Sequence, residues 1–169
     1  MQDGELLLAP DSYGIIVPNR KDTLGTKLLY FESVVKHLIA THKPNHIIIE
    51  DIFCGFNKVS FKCLAEYRGV AIKAIYESTG CDPYSMMAVE ARKAVGVGCK
   101  KEQAWAGAVE LFGLGKDWDF IQHNDIMDSF VLCYALYLTL TGEKPRYTTP
   151  AIKVAKPRKR KRRTKRKVK

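Results

Sequence analysis

The run His46-Ile47-Ile48-Ile49-Glu50-Asp51-Ile52-Phe53 constrains the fold more than any other stretch of the chain. Three successive isoleucines, entered through Lys43-Pro44-Asn45, read as a short buried strand. Two carboxylates stand at its carboxyl end, which is where open α/β sheets gather their ligands. Taken alone, Glu50 and Asp51 are equally a solvated pair closing a strand. A second acidic pair, Asp125-Ile126-Met127-Asp128, lies far downstream near the start of the last apolar helix. Its i, i+3 spacing puts both acids on one helix face.

The segments between these pairs alternate in period. Residues 13–18, Tyr-Gly-Ile-Ile-Val-Pro, predict a strand. Asp22-Thr23 offers polar caps for a helix running to about residue 40, in which Leu28, Phe31, Val34, Val35, Leu38 and Ile39 recur at helical spacing. A helix over residues 60–78 follows a polar, aromatic loop and is stopped by Thr79-Gly80. Residues 83–88 predict another strand. Residues 89–99 predict a short turn and a flexible glycine segment, and residues 100–112 a helix. His123-Asn124 is the expected cap of the last helix, which ends at Thr141-Gly142. Strands and helices interleaved in this way are α/β.

Composition matters mainly through where its charge lies. The net charge is +10, yet twelve of the 28 Lys and Arg fall in residues 153–169, which hold no acid. That leaves 16 basic against 18 acidic residues in the body, about −2. One domain over residues 1–145 with a basic tail over 146–169 is the expected organisation. The tail has no apolar period and cannot pack, so it is expected to be disordered. Lys159, Arg160, Arg162 and Arg163 stand in its densest part, which reads as an arm on nucleic-acid phosphates or as a nuclear address. Five scattered cysteines without CxxC spacing point to reduced thiols inside a cell. No stretch is long and apolar enough to predict a membrane span.

Carboxylates from distant segments that meet at a strand end repel one another unless a counter-charge joins them. Oxygen donors select Mg²⁺ or Mn²⁺, and two such ions about 3.5–4 Å apart make a phosphoryl-transfer site. Gly96-Val97-Gly98 with Lys100-Lys101 lacks the Walker A spacing. Beside a helix N-terminus it is either a DNA phosphate contact or a plain loop.

Four segments in order carry a resemblance: Ile49-Glu50-Asp51-Ile52-Phe53, Glu66-Tyr67-Arg68-Gly69-Val70-Ala71, Glu90-Ala91-Arg92-Lys93-Ala94-Val95-Gly96-Val97-Gly98 with Lys101-Glu102-Gln103, and Asp125-Ile126-Met127-Asp128-Ser129. Over about residues 3–141 the chain resembles the RuvC family of Holliday-junction resolvases, with their RNase H-like mixed sheet flanked by helices. The resemblance implies a homodimer that cuts four-way DNA junctions symmetrically, using two Mg²⁺ (or Mn²⁺) ions per site. Glu50, Asp125 and Asp128 match the family's second, third and fourth catalytic, metal-binding carboxylates. Phe53 matches the aromatic that enters the junction centre, although a phenylalanine following a strand is also an ordinary core residue. Lys93, Lys100 and Lys101 fall in the family's DNA-facing basic segment. The family's opening strand, with the Asp-x-Gly that supplies the first ligand, has no counterpart here, since Asp3-Gly4-Glu5-Leu6 aligns with the hairpin after it. Asp11 replaces that acid only if the strands are renumbered, which leaves too few residues for the hairpin. The cytoplasm of a bacterial or phage-infected cell, or a nucleus, is the expected location. A DNA-binding protein of this fold that holds junctions without cutting them is the main rival expectation, and an RNase H-like nuclease for some other structured nucleic acid is the second.

Overall fold

A computed structural model describes residues 13–52 and 57–145. Phe53, the tail from residue 146 and everything before Tyr13, Asp11 included, lie outside the described residues. The elements run α1 (Leu24–His42), β1 (Ile48–Glu50), α2 (Lys58–Thr79), β2 (Tyr84–Met86), α3 (Ala88–Val95), α4 (Lys101–Phe112) and α5 (Phe120–Thr141). The fold is mixed α/β and mostly helical.

The isoleucine run forms β1, displaced by one residue from the expected 47–49, so Glu50 is its last residue. β1 pairs in parallel with β2, setting Ile48 against Tyr84, Ile49 against Ser85 and Glu50 against Met86. A parallel pair needs a long crossover, and α2 provides it. Tyr84 donates its N–H to the Ile47 carbonyl at 2.8 Å, and Asp51 donates to Met86 at 2.9 Å, closing the ladder at both ends.

Thr23 caps α1 through its hydroxyl, as the Asp-Thr signal predicts, and Asn57 caps α2. These two helices pack together. Phe31 meets Tyr67 edge-on at 5.1 Å. Across the same face, Glu32 and Glu77 share Lys36 and Lys73 in four contacts of 2.6–2.8 Å. The main core lies elsewhere, where α3 and α4 pack on α5 and α5 reaches back to β1. Ala91, Val95, Val97, Ala108, Met127, Val131 and Ala135 are its most enclosed residues, with Ile48 and Met86 of the sheet packed against it.

Three expectations need correction. Residues 13–18 form no strand among the described residues. The Tyr13 ring is held instead by aromatic contacts, 5.3 Å from Trp118 and 5.6 Å from Phe130, and Pro18 has no N–H to give to a ladder. Residues 89–95, expected within a turn and glycine segment, and Ala88, expected to end the strand, form a helix: Glu90 turns back to accept the Met87 N–H at 3.2 Å, while Ala91 and Val95 reach the core. Two turns ending at a glycine are too short to show a period. The last helix starts three residues before the expected cap, because Asp119 accepts from both Ile121 and Gln122.

Candidate active site

Glu50 ends β1, and the helix that packs on β1 carries the second acidic pair. The inner face of α5 buries Ile126, Met127, Phe130, Val131 and Tyr134. This fixes the helix's rotation and turns Asp128 toward α3. The Asp128 side chain is 22% exposed, whereas that of Asp125 is 86% exposed, one turn nearer the helix start. The two acids therefore share a side of α5 at different depths.

Glu50 keeps part of its surface in solvent, yet burial of the rest pushes its carboxyl above the ordinary value. The negative charge of Asp128 pushes it further up and that of Asp125 adds to this, while Arg92 and Lys101 pull it back. All five charges thus act on one strand end. They are not drawn into a cage: among the described residues no group of three or more His, Cys, Asp or Glu is placed to hold a metal ion.

Asp128 is held by Arg92. The guanidinium Nη2 donates to both carboxylate oxygens, at 2.8 and 2.9 Å, and Nε donates to Oδ1 at 3.3 Å. A planar fork on a carboxylate is the strong form of this contact. Lys101, the first residue of α4, stands 3.6 Å from Asp125. The chain reaches it through Gly96 (φ 84°) and Gly98 (φ 92°), a backbone that side-chain-bearing residues rarely adopt. Asp51 points elsewhere. It meets Arg68 of α2 at 3.2 Å and accepts its neighbour's N–H, and Arg68 also donates to Ser85 of β2 at 2.8 Å. That contact clamps the exit of β1 and leaves Asp51 out of the group around Glu50.

Of the residues singled out in the sequence, Asp128, Lys101 and Asp125 all act electrostatically on Glu50, and Lys101 pairs with Asp125. Lys93, in the last turn of α3, and Lys100, just before α4, are exposed. Phe53, Lys159, Arg160, Arg162 and Arg163 lie outside the described residues. Sequence reasoning missed Arg92 and Arg68, although both stand inside the segments that carry the resemblance. The signal for Arg92 was a charge next to Ala91 and one turn before Val95, two positions of the same buried face.

Carboxylate oxygens are the donors that a hard divalent cation takes, and Glu50 bears the repulsion of Asp128 and Asp125, but no three described acids are placed as a ready ligand set. Four cysteines, Cys63, Cys81, Cys99 and Cys133, are free, and no described helix is long and apolar enough to cross a membrane. Comparison with curated proteins finds no match. The family model for the crossover junction endodeoxyribonuclease RuvC matches residues 7–132, a span holding β1, β2 and the positions of Glu50, Asp125, Asp128 and Arg92. The chain belongs to the RuvC family of crossover junction endodeoxyribonucleases.

Proposed function

We propose that this protein is a divalent-metal-dependent endonuclease that resolves four-way DNA junctions by phosphodiester hydrolysis. The observation that carries the reading is Glu50 at the end of β1, pushed toward protonation by burial and then by Asp128 and Asp125 on the helix packed beside it, with Asp128 held in place by the Arg92 fork. The three carboxylates would hold Mg²⁺ or Mn²⁺, two ions per site. When bound, such ions activate water and stabilise the leaving oxygen. The chain's own part is to bring the acids together and to place the phosphate. Lys101 is near enough to Asp125 to guide a DNA phosphate to the acids, with Lys100 beside it and Lys93 in the last turn of α3. Phe53, three residues beyond Glu50, is the residue proposed to enter the junction centre. The basic tail adds affinity that does not depend on DNA shape. The parallel β1–β2 pair with its crossover helix is compatible with the core of an RNase H-like sheet. A homodimer gives the two sites that symmetrical cutting requires.

The test is cleavage and binding of a four-way junction in Mg²⁺ by Glu50→Gln and Asp128→Asn. Cutting should fall by at least two orders of magnitude in each, while binding persists or tightens, because each change removes a negative charge facing DNA. Near wild-type cutting by either variant refutes the carboxylate site. A second reading, a junction-holding protein that does not cut, is favoured by one observation: Arg92 engages both oxygens of Asp128. Wild-type protein that binds junctions yet leaves them uncut in both Mg²⁺ and Mn²⁺ establishes that reading.

A further inference from the structure

The charged side chain deepest in the described part of the molecule is Arg92, 8% exposed, and no other polar or charged residue there is buried. A buried charge is ordinarily a cost unless it is paired. Its partner here is one of the three proposed site acids, and its charge also reaches Glu50. The contact crosses from α3 to α5 in a span of 36 residues.

We infer that Arg92 is a built-in counter-cation of the acidic site: a positioning residue that aims Asp128 and offsets its charge, keeping the carboxylates assembled before a divalent cation arrives. The chemistry suits the role. A guanidinium stays protonated at any working pH and matches a carboxylate with two parallel N–H groups. Each carboxylate oxygen has a second lone-pair direction, so Asp128 can serve as a ligand while the fork holds it. Groups that hydrogen-bond a ligand in this way set its orientation and tune metal affinity. A positive charge beside the site also weakens cation binding, so assembly comes at the expense of affinity. The metal-binding part of this inference rests on the reading under Proposed function, and the assembly part does not.

The experiment uses the full chain and Arg92→Gln, which is neutral yet still able to donate to Asp128, with Arg92→Lys as the variant that keeps the charge. In chelator, melting is compared for wild type, Glu50→Gln, Arg92→Gln and the double variant. Glu50→Gln should raise the melting temperature more in the Arg92→Gln background than in wild type, because the Glu50–Asp128 repulsion is then no longer offset. Arg92→Lys should restore the smaller, wild-type increment. Equal increments in the two backgrounds, or an Arg92→Gln chain that does not fold in either chelator or Mg²⁺, overturn the inference and leave a plain structural tie. Mn²⁺ titration followed by the signal of the free ion gives the second readout. Arg92→Gln should bind Mn²⁺ more tightly, on the order of tenfold, and Mg²⁺ should raise its melting temperature by more than it raises wild type's. Unchanged or weaker binding by Arg92→Gln overturns the inference. Wild type that binds no Mn²⁺ at all sinks the metal-site reading, and the chelator cycle still decides the role of Arg92.

Discussion

Met127 sits between the two acids of α5 and is 2% exposed, among the largest fully enclosed side chains in the described part of the protein. It belongs to the core layer that α3, α4 and α5 share, so it holds the helix that carries Asp125 and Asp128. Met127→Ala removes three heavy atoms from a packed interior. Such truncations cost about 2–5 kcal/mol, the spread reflecting how far the surroundings close the gap. Alanines and valines border much of this layer, and they have little side chain with which to fill a space. About 3 kcal/mol is the expected loss, and for a chain of this size it lowers Tm by roughly 6–12 °C. Ile121, on the same helix but 91% exposed, provides the contrast: Ile121→Ala should stay within about 0.5 kcal/mol. Thermal and urea unfolding followed by circular dichroism measures both, and Met127→Leu, which conserves volume, should keep most of the stability and the junction cutting. A loss below about 1 kcal/mol for Met127→Ala, or losses of similar size at both positions, would refute the placement of the inner face of α5. The orientation of Asp128 would fall with it.

Two further outcomes follow from charge. The ammonium groups of Lys36 and Lys73 hold the Glu32 carboxyl at about 2, below its usual 4.5. A depressed acid stabilises the fold above its unfolded-state value and loses that contribution as pH falls through the folded one. Melting temperature should therefore drop between about pH 4.5 and pH 2, and Glu32→Gln should flatten that drop; an unchanged acid profile in the variant refutes the α1–α2 network as its cause. Deleting residues 156–169 removes eleven basic groups. It should weaken binding to DNA of every shape and flatten the salt dependence of log affinity by about 0.9 per lost phosphate contact on duplex, with preference for the four-way junction retained. Loss of that preference at an unchanged salt slope would reassign the tail.

What the sequence revealed and what it hid divide along a physical line. β1, α1, α2, α4 and α5 could be read because burial imposes a period on each, or a β-branched run bounded by proline and acid. The acids drew notice for a different reason: a strand's carboxyl end is where α/β sheets gather ligands, and an i, i+3 acidic pair shares one helix face. α3 could not, because eight residues give two turns, and its start is set by Glu90 folding back on Met87 rather than by a polar cap. Residues 13–18 misled in the opposite direction. Ile15, Ile16 and Val17 have strand propensity, but strand structure needs a ladder, and the only anchor described for this segment is the Tyr13 ring on Trp118 and Phe130. Arg92 is the most instructive omission. Local pattern treats a charged residue in a helix as solvent-facing, and in α3 the only counter-signal is its position beside Ala91 and one turn before Val95. Its place is set by Asp128, 36 residues away. The acids drew notice because they are the part of the site that a metal would touch, while the charge that balances them lay in a segment read as a turn. A site with three carboxylates therefore calls for a search for cations over the whole chain, since the fold must offset that repulsion whenever no metal is bound.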